Sequence, residues 1–223
     1  MSPLVHNEVS AQAWLIDVLG ADSAAMDRLR QLAVLLDIEN RVQNLVSRAS
    51  QQSVWARHIV DSAQLLHVSR GTAAANAGCW LDLGTGAGFP GLVIAALQPE
   101  RPVTLVDSRR LRADWLNRAA AALDLKAVHV VHARVADLPA RTFAVISARA
   151  FAPLPRLLNV SARFSTPQTL WLLPKGANAR HELAELGAGW SHTFHVEQSL
   201  TDSAAGVLVG HMLTMPHDKG ARP

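Results

Sequence analysis

Residues 81–91 read Leu81-Asp82-Leu83-Gly84-Thr85-Gly86-Ala87-Gly88-Phe89-Pro90-Gly91. A short apolar run, a glycine at every second position and then a proline spell a strand that turns sharply into a helix. Glycine permits the backbone angles of a tight turn and the close approach of N–H groups to a ligand. Proline suits the first helical turn, where a missing N–H costs nothing. Asp107 lies nineteen residues beyond Gly88, at the end of the next apolar run. A carboxylate there can accept from both hydroxyls of a ribose.

The rest of the chain fits around this turn. Short apolar runs at 79–83, 103–107, 127–132, 143–147 and 169–173 alternate with stretches suited to helices at 91–98, 111–123 and 153–164. Such alternation predicts a parallel sheet covered on both faces. Runs at 193–198 and 207–214 lie close together and suit an antiparallel pair at the sheet edge. Residues 1–78 read helical. Ser10 is a candidate cap for a helix ending at Gly20, and Asp22 or Ser23 for a second one. Met26, Leu29, Leu32, Ala33 and Leu36 repeat at helical spacing, and a third helix fits 53–68. The expected fold is α/β and Rossmann-like, with a seven-stranded, mostly parallel sheet and an N-terminal helical cap. The divisions are 1–78 for the helical extension, with a small-residue linker at 71–78, 79–215 for the cofactor-binding domain, and 216–223 for a frayed tail.

Two ligands compete for the loop. Gly86-x-Gly88-x-x-Gly91 satisfies the dinucleotide pattern. Gly84-x-Gly86-x-Gly88, with Asp82 just ahead, satisfies that of S-adenosyl-L-methionine enzymes. A dinucleotide would bring an anionic pyrophosphate near Asp82. S-adenosylmethionine brings an ammonium and a sulfonium, which a nearby carboxylate favours. The charge argument selects the methyl donor. The expected fold is then that of a class I methyltransferase, with an NAD-type oxidoreductase or regulator as the alternative.

Much chemistry is excluded. Hydrophobic residues make up 49% of the 223, so the chain has material for a core and is not disordered. The single cysteine, Cys79, rules out a disulfide framework and a cysteine-based zinc site. It starts the first strand, at the wrong end to serve as a nucleophile. His129/His132 and His192/His195 point to opposite faces of strands, so no metal site is expected. Residues 1–20 carry no Lys or Arg, unlike a signal peptide. Asp82 and the glycines interrupt the most apolar stretch, so no membrane span is expected. A soluble, cytoplasmic protein follows. The fourth strand ends in Ser147-Ala148-Arg149-Ala150-Phe151, with no acid to act as a base. A nucleophile that needs no deprotonation, such as guanine N7, fits that site. Catalysis would then rest on proximity and orientation.

Several segments together resemble the ribosomal RNA small subunit methyltransferase G family, also called RsmG or GidB. They are Asn44-Leu45-Val46-Ser47, Arg57-His58-Ile59-Val60-Asp61-Ser62, the glycine loop, Asp107-Ser108, Arg134-Val135, Ala148-Arg149-Ala150-Phe151 and Lys175-Gly176. The resemblance spans roughly Glu39 to Met212. It implies methylation of N7 of one guanosine in 16S rRNA, conventionally numbered 527, on the small subunit or its assembly intermediate, by a monomer using S-adenosyl-L-methionine. It further implies that Gly84 and Phe89 line the donor, with Gly86 and Gly88 shaping its loop; Asp82 counts among the donor-binding residues for its charge, and a non-catalytic ribosome-assembly factor stands as the alternative. Asp107 would hold the ribose, and Val135 and Ala136 the adenine. Arg149 would stand at the junction of donor and substrate, with Arg149 and Lys175 as catalytic residues. Arg109, Arg112, Arg134 and Lys175 would meet RNA. The family commonly has Glu where this chain has Ala136, and Lys near Leu111.

His58 and Asp61, three apart on one helical face, suit a hydrogen bond that locks the cap to the sheet. Trp55, Trp115 and Trp171 suit packing. Charge is uneven: residues 101–180 hold thirteen basic and four acidic side chains, while 1–78 hold six and seven. A basic half around the site favours a phosphate-rich substrate.

Overall fold

The computed structural model describes residues 5–74, 78–187 and 191–214. The tail expected at 216–223 and the middle of the linker at 71–78 lie outside them. Strands β1 (Trp80–Leu83), β2 (Val103–Asp107), β3 (Val128–His132), β4 (Val145–Ala148) and β5 (Leu170–Lys175) run parallel. Short β6 (Ser191–His192) precedes β7 (His195–Gln198), and β8 (Gly206–Gly210) precedes β9 (Met212–Thr214). The main sheet has the order β3-β2-β1-β4-β5-β8-β7. β8 is antiparallel to both neighbours. The expected final strand at 207–214 breaks at His211. Its last residues form β9, which pairs with β6 in a separate two-stranded ribbon.

Helices cover both faces, as parallel strands require. α5 (Gly91–Leu97) follows the glycine loop and α6 (Arg110–Ala122) follows β2. α7 (Leu154–Ser161) joins β4 to β5, and α8 (Ala179–Ala184) follows β5. Strand alternation sorts the two cores. Trp80 joins the core beneath α5, whereas Leu81 and Leu83 join the one beneath α7. α5 is buried over nearly its whole length, because the cap packs on its outer side. Leu15, Leu29, Leu65 and Ile94 share one cluster, so cap and sheet have a common core.

The cap comprises α1 (Glu8–Asp17), α2 (Ser23–Asn40), the single turn α3 (Arg48–Gln51), a π-helical turn (Trp55–Val60) and α4 (Asp61–Val68). Asn7, not Ser10, caps α1. The Ser10 N–H donates to Asn7 Oδ1 (2.8 Å) and Ser10 Oγ accepts from the Asn7 N–H (3.1 Å), a reciprocal capping box. Asp22 caps α2 through the Ala25 N–H at 2.7 Å. The helix expected at 53–68 is interrupted by the π turn. The Glu8 carboxylate accepts from the Trp55 and Ala56 N–H groups, both at 3.1 Å, and so caps that turn from across the cap.

Candidate functional site

The carboxyl ends of β1, β2 and β4 converge where the glycine loop begins, the edge at which open α/β sheets bind ligands. Gly84 takes φ +67°, and a Cβ there would come within 2.5 Å of the Phe151 ring, so only glycine fits. Gly91 has another role. A Cβ on it would strike Leu105 on β2 and the Asp82 carboxylate, so its bareness lets α5 lie against the sheet.

Asp107 anchors the mouth of a cleft of about 400 Å³. Its Oδ2 accepts from the Gly86 N–H (2.9 Å) and its Oδ1 from the Arg109 N–H (2.8 Å). Each oxygen keeps a further lone pair, which suits two ribose hydroxyls. Gly84, Val135 and Ala136 continue the wall. The carbonyls of Val135 and Ala136 both accept from Arg163, at 2.6 and 2.7 Å. These residues open a 3-10 turn, so their N–H groups lack intrahelical acceptors and suit a purine edge. The side chains of this chain thus fit a nucleoside-bearing donor, with Ala136 offering backbone alone. Arg109, Arg112 and Arg134, expected to meet RNA, rim this cleft, and Arg156 joins them.

A second cleft, of about 690 Å³, lies on the cap side. Ala150, Phe151 and Ala152 line both and form the partition. This partition is held at both ends. Arg149 Nη1 donates to Asp61 Oδ2 (3.2 Å) and to the Arg57 carbonyl (3.5 Å), while Nη2 meets His58 Nδ1 (3.3 Å). At the other end Lys175 Nζ donates to Glu182 Oε2 (2.8 Å) and to the Ala152 carbonyl (3.3 Å). Glu182 Oε2 also accepts from the Leu154 N–H (3.1 Å), at the start of α7.

Beside the clefts, His58 and Asp82 titrate unusually. Burial, then the charges of Arg149 and Arg57, pushes His58 down to about 3, so the imidazole is neutral. Burial raises Asp82 to about 6, against the pull of Ser147, Thr85, Gly91 and Arg149.

Most of the expected site residues meet at the two clefts, with corrections. Asp82 is wholly buried. Its Oδ1 accepts from the Ser147 hydroxyl (2.7 Å) and its Oδ2 from the Gly91 N–H (3.0 Å). It braces the loop from behind and lines neither cleft, so it does not meet a donor's ammonium directly. Gly86 turns its N–H to Asp107, Gly88 packs on Leu92, and Phe89 is 3% exposed beneath His58 and Arg149, so none of the three lines the donor cleft. Lys175 does not face outward. Its side chain is 10% exposed and its ammonium is turned to Glu182. His58 and Asp61 do link the cap to the loop after β4. Trp55, Trp115 and Trp171 are buried packing residues. Sequence spacing does not single out Glu182, Arg156 or Glu8. Only Arg156 had a signal, its place in the helix following the Arg149 loop.

A family model described as GidB, rRNA small subunit methyltransferase G, matches residues 25–207. A protein of Novosphingobium aromaticivorans named ribosomal RNA small subunit methyltransferase G is 66% identical over 92% of this chain and 89% of its own length. One of the same name from Erythrobacter litoralis is 52% identical, over 93% and 97% respectively. Among solved structures, a SAM-dependent methyltransferase from Aquifex aeolicus superposes with a TM-score of 0.58 at 17% identity, covering 78% of this chain and 98% of that one. A mutant of MtNAS in complex with S-adenosylmethionine gives 0.56 at 14% identity, over 95% and 87%. These two likenesses establish the class I methyltransferase fold.

Proposed function

Because the chain belongs to the GidB family of ribosomal RNA small subunit methyltransferases, we propose that it methylates N7 of a guanine in 16S rRNA with S-adenosyl-L-methionine. By resemblance the target is the guanosine conventionally numbered 527, met on the small subunit or its assembly intermediate by a cytoplasmic monomer. Residues 79–215 would form the catalytic domain and 1–78 its cap.

One observation carries the choice of N7. Four carboxylates line the larger cleft, and each faces a basic side chain. Asp61 pairs with Arg149, Glu182 with Lys175, Asp202 with Arg57 (3.8 Å) and Glu185 with His181 (3.2 Å). A general base must be free to take a proton; Asp61 and Glu182, beside the partition, are held by Arg149 (3.2 Å) and Lys175 (2.8 Å), whereas Asp202 and Glu185 stand in exposed, water-screened pairs. The donor supplies an electrophilic methyl group, and guanine N7 offers a lone pair that carries no proton. Asp107 holds the ribose and the N–H groups of Val135 and Ala136 hold the purine. Gly84, on the cleft wall against Phe151 of the partition, would lie beside the methionine end. Arg149 fixes the acceptor at the seam between the clefts. Arg109 and Arg134 hold RNA phosphates, Arg112 leans on the Asp107 carboxylate (3.8 Å) at the same rim, and Lys175 serves by pinning the partition.

The test is to incubate the protein and labelled donor with small subunits lacking the modification. Label should enter one guanosine at N7. Labelling of protein or of small molecules alone overturns the reading. Arg149→Ala should abolish transfer while donor binding persists; full methylation by that variant would remove Arg149 from the mechanism.

A further inference from the structure

Among the described residues the His58 ring has one hydrogen-bond partner, Arg149. The contact fixes the tautomer. A guanidinium only donates, so Nδ1 must be the acceptor at 3.3 Å and the ring proton must sit on Nε2. Nε2 is buried and has no partner among the described residues. An unpartnered buried donor costs stability, so an apolar ring would serve the fold better. What the imidazole provides that an apolar ring cannot is an acceptor for Arg149. Its plane stacks on Phe89 of the glycine loop, with centroids 4.9 Å apart and 16° between planes, and the Arg149 guanidinium carbon lies 5.3 Å from the same ring.

Asp61 is fixed in turn. Its Oδ1 accepts from Gln64 Nε2 (2.9 Å) and from the Thr201 hydroxyl (3.1 Å), leaving Oδ2 to Arg149. The widened π turn at Trp55–Val60 brings the Arg57 carbonyl, the His58 ring and the Asp61 carboxylate to one guanidinium. Such turns are frequent where function demands an irregular helix. We propose that His58 is a positioning residue for methyl transfer: with Asp61 it sets the guanidinium of Arg149 over Phe89, so that the cap fixes the acceptor side of the site against the glycine loop. This rests on the role proposed above for Arg149. His58 itself neither takes a proton nor touches the reacting atoms.

The test compares wild type, His58→Phe and His58→Asn on undermethylated small subunits, with kcat, KM, S-adenosylhomocysteine affinity and Tm measured for each. Phe keeps the stacked ring and removes both nitrogens, whereas Asn keeps an acceptor near the Nδ1 position. A displaced guanidinium should cost about tenfold to a hundredfold in transfer. The expected result for His58→Phe is that loss in kcat, with Tm maintained or raised and analogue affinity near wild type. His58→Asn should recover part of kcat. Wild-type kcat in His58→Phe overturns the inference. So does a loss that follows a lowered Tm and is not rescued by Asn. If wild type itself labels no guanosine, it is the parent reading that fails.

Discussion

Asp82 is a charge-bearing residue in a place that disfavours charge. Its folded-state carboxyl keeps the proton up to about pH 6, against an ordinary value of 3.8. Between those values the folded chain binds more protons than the unfolded one, so raising the pH through that window lowers stability. The contribution is up to about 3 kcal/mol, fully felt above pH 6. Asp82→Asn should flatten this part of the stability curve, as read from urea midpoints between pH 4 and pH 7. An unchanged decline would show that Asp82 is not its source. The sequence marks Asp82 as the acid of a cofactor loop, and spacing says no more than that. Its true contacts, Ser147 on β4 and Gly91 on α5, come from strands and helices that meet only on folding.

At the scale of elements, two struts hold the partition, and each can be removed. Glu8 on α1 caps the π turn that carries His58. Losing a side-chain cap costs about 1–2 kcal/mol. Glu8→Ala should lower unfolding free energy by that amount and lower kcat more than donor affinity, whereas Glu8→Gln, which keeps one acceptor, should lose less. A kcat unchanged in Glu8→Ala would separate α1 from the site. Glu182 on α8 holds both Lys175 and the Leu154 N–H. Glu182→Ala should destabilise by about 1–3 kcal/mol, because it leaves a largely buried ammonium unpaired. Lys175→Met, which keeps the stem without the charge, should cost less; the opposite ranking would refute the strut. Strand and helix positions were legible because period and burial go together. The π turn was not, since 53–68 keeps a helical pattern through it. Nor was α8, a six-residue helix without a clear apolar face.

Across the whole molecule the charge asymmetry acquires a location. Arg109, Arg112, Arg134 and Arg156 rim the donor cleft, and Arg57, Arg149 and Lys175 line the larger one. Among the described residues no helix is long and apolar enough to cross a membrane. If Arg134 and Arg156 each neutralise one RNA phosphate, removing either should reduce the slope of log affinity against log salt by about 0.7–0.9. Titrating Arg134→Ala and Arg156→Ala with RNA at several salt concentrations checks this. An unaltered slope would place both residues outside the RNA path.

The sequence by itself determined the class of the fold, the strand-turn-helix at Gly84–Gly91, Asp107 as the ribose ligand candidate, and the motifs that mark the family. These are local features, in which residue type, spacing and backbone preference suffice. Only the tertiary structure decided which charges stand free and which are spent. Lys175 was drawn inward by Glu182, Asp82 was sealed behind the loop, and His58 was turned to Arg149. Each outcome depends on a partner between 7 and 91 residues away in the chain, where burial raises the cost of any unpaired charge. Spacing along a sequence carries no record of that cost.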